Sequence, residues 1–133
     1  RMVDGSGLSR ENKISPWMFV NLYRWMREQD SWPVFLESLP HGLPRFSAIS
    51  FTSTPETEEL DAKIYGKTGY INKVKSLAGI IQNDQGQDVF FAVLMNDYSC
   101  GYDQAEKAIN EIVLEIARYQ KERTSNLSSV QKE

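Results

Sequence analysis

Gly66-Lys67-Thr68-Gly69 is the stretch of this chain richest in groups that do chemistry. Its first three letters suggest a phosphate loop. That motif needs a second glycine five residues before the Gly of Gly-Lys-Thr, and position 61 is Asp61. An aspartate there also repels phosphate, so the nucleotide reading fails. Taken alone, Lys67 is an exposed strand lysine that blunts a sheet edge. The single cysteine, Cys100, excludes an internal disulfide and a cysteine-based zinc site. The single histidine, His41, excludes a multi-histidine metal site and argues against a Ser-His-Asp triad. Ser6 lies between Gly5 and Gly7 with no identifiable base, and reads as a tight-turn residue. A Ser-x-x-Lys spacing occurs once, at Ser129-Val130-Gln131-Lys132. It lies in a polar stretch with no core to hold the lysine in place as a base.

The elements that must position these groups are legible in part. Residues 1–14 are polar and read as a loop. Ser15-Pro16 signals a helix start, since serine caps orphan N–H groups and proline fits the first helical position. Met18, Leu22, Trp25 and Met26 share one face, widened by Phe19 and Tyr23, which predicts a helix from about 15 to 29. Pro33–Ser38 reads as a short second helix, ended by Pro40-His41-Gly42. Phe46, Ala48, Ile49 and Phe51 suggest a short strand. Thr52 to Asp61, with Glu56, Glu58, Glu59 and Asp61, reads as a solvated loop.

From residue 62 the hydrophobic period changes. Strands are expected at 62–66, 74–81 and 88–96, with a turn at Asn83-Asp84-Gln85-Gly86 that makes the last two a hairpin. The third is apolar at nearly every position, so both its faces should be covered. Asp103 with Glu106 three residues on resembles a capping box. Ala105, Ala108, Ile109, Ile112, Ile116 and Tyr119 make an apolar stripe on a helix expected over 103–121. Residues 122–133 read as a polar tail that frays. The fold class is α+β, an antiparallel sheet of at least three strands flanked by helices.

Composition narrows the function classes. The chain has 133 residues, 41% of them hydrophobic and 25% charged, which is ordinary for one globular domain. A net charge of −3 argues against a nucleic-acid binder held by bulk charge. The longest apolar run, Val89 to Met95, is far short of the ~20 residues a membrane helix needs. No secretory signal is visible, and Arg1 in first place points to a piece of a longer polypeptide.

Read as Lys67-Thr68-Gly69, the central motif matches the K-T-G element of active-site serine enzymes, which works with S-x-x-K and S-x-N elements. Three ordered matches accompany it. Asp4-Gly5-Ser6-Gly7-Leu8-Ser9-Arg10 precedes a Ser-Pro helix, Leu39-Pro40-x-Gly42 follows the short helix, and Ser76-Leu77-Ala78-Gly79 lies on the strand after K-T-G. Together they resemble the C-terminal part of penicillin-binding D-Ala-D-Ala carboxypeptidase/endopeptidases of low molecular mass, in the serine β-lactamase-like superfamily. Residues 1–121 would then be the C-terminal portion of the catalytic domain.

What the resemblance implies is an acyl transferase. In that family a serine attacks the D-Ala-D-Ala bond of peptidoglycan peptides, water resolves the acyl-enzyme, and β-lactams acylate the same serine. Lys67 would set a positive charge near the substrate carboxylate and the proton relay. Thr68 would hydrogen-bond that carboxylate, Gly69 would let substrate backbone approach, and the N–H of Tyr70 would be one of two oxyanion donors. No cofactor or metal is implied, and the location would be periplasmic or extracytoplasmic. The chain departs from the pattern at Tyr70, where Thr or Ser is usual, and after Leu39-Pro40, where the usual D-G-T/S-L sequence is missing. No S-x-N occurs, and no S-x-x-K precedes the K-T-G strand. The nucleophile is therefore expected on another segment, with this chain inactive alone. The strand at 88–96 would leave an unpaired edge, calling for a complementary N-terminal segment or a second copy. The alternative is a non-catalytic binding or interaction module of the same fold.

Overall fold

The computed structural model describes residues 1–45, 48–52, 54–60, 62–83 and 87–130, with side chains left out at 43–52, 56 and 127–130. Three strands form an antiparallel sheet in the order β3-β4-β5: β3 is Ala62–Ile71, β4 Val74–Asn83 and β5 Asp88–Asn96. This is the expected α+β class. Helix α1, Pro16–Arg27, and helix α2, Trp32–Ser38, cover one face, and helix α4, Tyr102–Val130, covers the other. A short hairpin of β1, Leu43–Arg45, and β2, Ala48–Thr52, precedes helix α3, Pro55–Glu59. Phe46 and the turn residues Asp84 to Gly86 lie outside the described residues.

Strand alternation divides the core in two. Ile64, Leu77, Ile81 and Phe91 point toward α4 and pack on Ile109, Val113 and Ala117. Ala78 and Ile80 point the other way and pack with Tyr23 of α1 and Trp32 of α2. The Tyr23 hydroxyl donates to Ala78 O at 3.0 Å, which ties α1 to the central strand through a buried bond. Burial pushes the Tyr23 phenol up to about 12. Trp32 is a core residue, whereas Trp17 is exposed. The expected face of α1 is corrected: Met18, Leu22 and Trp25 are exposed, the side packed on the sheet is Phe19, Tyr23 and Met26, and Ser15 stands at the N-cap without a side-chain cap bond. Both faces of β5 carry helices, as its apolar run predicts. Only Phe91 on it is fully buried, because β5 is an edge strand of the sheet.

Four further expectations are corrected. The acidic stretch after Thr52 is not all loop. Thr54 Oγ1 accepts from the Thr57 N–H while Thr57 Oγ1 accepts from the Thr54 N–H, and Pro55 starts a helical turn between them. Strand β3 does not end at the K-T-G motif but runs through it to Ile71, because β4 pairs with it without a bulge along its whole length. The helix does not stop near 121. Gln120 and Thr124 are buried, where Gln120 donates to Gln87 O and Thr124 Oγ1 donates to Gln87 Oε1 at 3.1 Å. Those bonds anchor α4 to the chain entering β5 beyond residue 121, and the helix runs to Val130. Finally, the buried stripe of α4 is Ala105-Ile109-Val113-Ala117, while Ile112 and Tyr119 are exposed. With Ala108 and Ile116 they line a shallow cleft made by α4 alone. Spacings of three and four both fit the pattern, and the position of the sheet selects the spacing of four.

Candidate active site at the free edge of β3

The chain entering β1 lies against the first half of β3. The Gly42 N–H donates to Ile64 O at 2.6 Å, and the Gly66 N–H donates to Pro40 O at 2.9 Å. His41 bridges Tyr65, so this histidine is part of an edge cover, with its ring exposed. These bonds fix which way the backbone of β3 points. In an antiparallel ladder, successive residues turn their N–H and C=O groups alternately toward the neighbouring strand and away from it. Ile64 and Gly66 point away from β4. The register is unbroken, so Thr68 and Tyr70 also point away from β4. The closing pair Ile71↔Val74 around the two-residue turn Asn72-Lys73 agrees with this parity. Among the described residues no strand pairs with β3 on its outer side. The K-T-G segment therefore presents the N–H groups of Thr68 and Tyr70 and the carbonyl of Thr68 along an open edge.

Lys67 lies opposite Ala78, on the side of the sheet that carries α1 and α2. Its side chain is exposed, and Nζ donates to Thr68 O at 2.9 Å. That bond draws the ammonium round to the open edge. Thr68 lies opposite Leu77, on the α4 side, and is half-buried. Gly69 lies opposite Ser76, and a Cβ there would stand 2.5 Å from Ser76 Oγ. Tyr70 lies opposite Lys75 and is 55% exposed, with its ring against that of Tyr102 at the start of α4. The four residues singled out from the sequence thus form one continuous edge.

The loop of residues 4–10 is anchored to the same end of the sheet. Arg10 donates from Nη2 to Asn72 O at 3.2 Å, in the β3–β4 turn where Lys73 adopts a φ of 60°. The Asp4 carboxylate organises this loop, accepting from Ser6 Oγ at 3.1 Å, Gly7 N at 3.2 Å, Ser9 N at 3.1 Å and Asn12 Nδ2 at 3.0 Å. The Asn12 bond is the leading cause that holds the Asp4 carboxyl below its ordinary range. A carboxylate so well satisfied is a poor base, so its contact with Ser6 supports a turn role for that serine. Gly7 has a φ of 77°, which a side chain would strain. Cys100 is free and exposed. No group of metal-binding side chains occurs among the described residues.

Sequence reasoning missed three partners of this edge: the cover from Pro40 to Gly42, the Arg10 anchor, and an ion pair behind Tyr70. Lys75 and Glu106 have side chains 4% and 3% exposed, with Nζ 2.7 Å from Oε1. The contact has ion-pair distance without hydrogen-bond angles, so charge rather than a directed bond supplies the attraction. Glu106 is thus no capping residue, and Asp103 lies within the first turn of α4. A lysine in an alternating strand pattern was the available signal for Lys75, since it falls on the same face as Leu77 and Ile81.

The chain is similar over 101 residues to D-alanyl-D-alanine carboxypeptidase DacB of Haemophilus influenzae, with 30% identity across 75% of this chain and 21% of that protein. It is 27% identical over 125 residues to penicillin-sensitive carboxypeptidase A of Dictyostelium discoideum, covering 88% of this chain and 23% of that one. It thus spans less than a quarter of the length of these relatives. No solved structure gives a significant match. The family model of the D-Ala-D-Ala carboxypeptidase 3 (S13) family matches residues 1–119, which takes in the Asp4 loop, the covered and open halves of β3 and most of α4, and the chain belongs to that family.

Proposed function

We propose that this chain supplies the K-T-G strand of a serine D-Ala-D-Ala carboxypeptidase/endopeptidase that acts on peptidoglycan peptides through an acyl-enzyme. The observation that carries this reading is the parity of β3, which turns the Tyr70 N–H to an edge left open beyond Gly66. An extended peptide adds to such an edge through main-chain hydrogen bonds. Its terminal carboxylate meets the Lys67 ammonium and the Thr68 hydroxyl. The scissile carbonyl then lies near the Tyr70 N–H, one of two donors to the oxyanion that forms when serine attacks. Such a donor contributes ~10²–10³ in rate. As serine Oγ bonds to the carbonyl carbon, its proton passes to a base, which delivers it to the D-Ala nitrogen as the C–N bond breaks and D-Ala leaves as the free amine. Water then cleaves the ester and regenerates the serine.

The serine and its base stand on another segment. This chain has no S-x-N, and its only S-x-x-K follows the K-T-G strand. The open edge of β5 suits a complementary N-terminal segment or a second copy. Peptidoglycan stem peptides and β-lactams are the expected ligands, in a periplasmic or extracytoplasmic setting. Among the described residues no helix is long and apolar enough to cross a membrane.

Labelling with a fluorescent penicillin tests the reading. In a polypeptide joining this chain to a segment with S-x-x-K and S-x-N, label appears on that segment's serine. Lys67→Ala slows labelling by ~10²-fold or more, on the scale of a lost charge-stabilising donor. The 133-residue chain alone takes no label. Labelling of a serine in this chain, or unchanged labelling of the Lys67→Ala protein, refutes the proposal.

A further inference from the structure

Behind the open edge, on the α4 side of the sheet, four side chains form a stack that the proposed chemistry does not use. Lys75 lies opposite Tyr70 in the ladder. Its ammonium stands 3.1 Å from the centroid of the Tyr102 ring and 5.9 Å from that of Tyr70, and Glu106 neutralises it from the next turn of α4. The Tyr102 ring meets the Tyr70 ring edge-on, with centroids 4.9 Å apart and planes at 85°. The Tyr102 hydroxyl donates to Glu106 Oε1 at 3.4 Å. Tyr98 borders the same cluster. Its phenol is held above the ordinary value, first by burial and then by the neighbouring Tyr70 phenol.

A buried ion pair is weak ground for stability, because desolvating two charges offsets their attraction. Its best-attested use is to select one arrangement over others. Here the arrangement selected is the seat of Tyr102. The Tyr102 ring is 41% exposed, and its described contacts are the ammonium, the Tyr70 ring and Glu106. Tyr70 itself is mostly exposed, on an edge strand, one residue from a turn. Without Tyr102 its ring has no described aromatic partner, and the peptide plane that carries its N–H is held only by the ladder bonds of its neighbours.

We infer that Tyr102, seated on the Lys75–Glu106 pair, is a positioning residue for Tyr70 and so aims the N–H that faces the open edge. The value of that aim for oxyanion binding rests on the function proposed above; the mechanical claim does not. The ring contact ties the exposed side chain at position 70 to helix α4. It makes the start of α4 a determinant of the edge geometry.

Nuclear magnetic relaxation on the ¹⁵N-labelled 133-residue chain tests this. In the parent and in Tyr102→Phe, the Tyr70 amide has an order parameter near ~0.85, as rigid strand does. The Lys75 ε-protons show the upfield shift of protons over an aromatic face. In Tyr102→Leu that shift disappears and the Tyr70 amide falls below about 0.6, the flexible range, while the amides of Leu77 and Ile80 stay rigid. Tyr70→Leu, which cuts the same contact from an exposed position, produces the same loss at residue 70 and guards against a folding defect in the first variant. An unchanged order parameter at residue 70 in both leucine variants overturns the inference. Equal loss at Leu77 and Ile80 overturns it too, since that marks general loosening. A failed penicillin experiment with these relaxation results intact sinks the function and leaves the positioning role standing. The reverse outcome sinks the positioning role alone.

Discussion

The Lys75–Glu106 pair invites a thermodynamic test whose sign is not obvious. Replacing Glu106 with Leu leaves an ammonium in a site where its side chain is 4% exposed. Removing one partner of a buried pair costs about 3–5 kcal/mol, because the survivor is an uncompensated buried charge. Tyr102, itself 41% exposed, retains its contact with the ammonium at 3.1 Å, and a contact of that kind contributes about 1–2 kcal/mol. That contact exists in both proteins and cancels in the difference, so the bottom of the range, about 3 kcal/mol, is the least loss expected. Unfolding entropy of about 2.1 cal/mol/K per residue gives about 0.28 kcal/mol/K for 133 residues. The midpoint therefore falls by about 11 °C or more. The double variant Lys75→Met/Glu106→Leu removes both charges and fills similar volume. It should match the parent or exceed it by about 1–4 kcal/mol. Thermal melts followed by far-ultraviolet circular dichroism at pH 7 read both. A fall of under about 2 °C for Glu106→Leu would show that the ammonium is hydrated after all. A double variant as unstable as the single would show that shape, not charge, governs the site.

Alkaline titration should report on Tyr23. Its folded value is raised to about 12 from an ordinary 10.0, so its contribution to stability is whole below pH 10 and is lost as pH rises through 12. Two pKa units correspond to about 3 kcal/mol. Tyr23→Phe lacks this decline between pH 10 and 12 in denaturant melts, and an identical decline in both proteins would contradict the assignment. Gly79→Ala should abolish the β3–β4 pairing, because the new Cβ collides with Tyr65 O and stands 2.8 Å from Gly66 Cα, both backbone atoms. The matched control is Gly5→Ala, which meets nothing within 4 Å and should melt with the parent. Arg10→Ala should loosen the first 13 residues without moving the main transition. Its bond to Asn72 O is exposed and worth about 0.5–1 kcal/mol, and limited proteolysis should cut the loop faster while the melt stays within about 4 °C.

Local pattern carried a large part of this protein. The Ser-Pro start of α1, the short α2, the limits of β5 and the family resemblance through K-T-G were all legible in residue order, but which face of α1 packs was not. These features rest on interactions within a few residues, which any reader of the chain can see. The capping box at Thr54 and Thr57 was equally local and was obscured by the acids around it. The stripe on α4 was ambiguous on its own terms, because a helix has no inside until something packs on it.

Tertiary structure decided the rest. Which N–H groups of β3 face outward depends on a bond between Pro40 and Gly66, residues with no local relation in sequence. The burial of Lys75 depends on α4 returning across the sheet to bring Glu106 and Tyr102 over it. The end of α4 depends on Gln87, reached only once β5 is in place. Residue order sets propensity and spacing, which are properties of one segment. Edge, face and partner are properties of two segments in contact, and they come into being only when the chain folds back on itself.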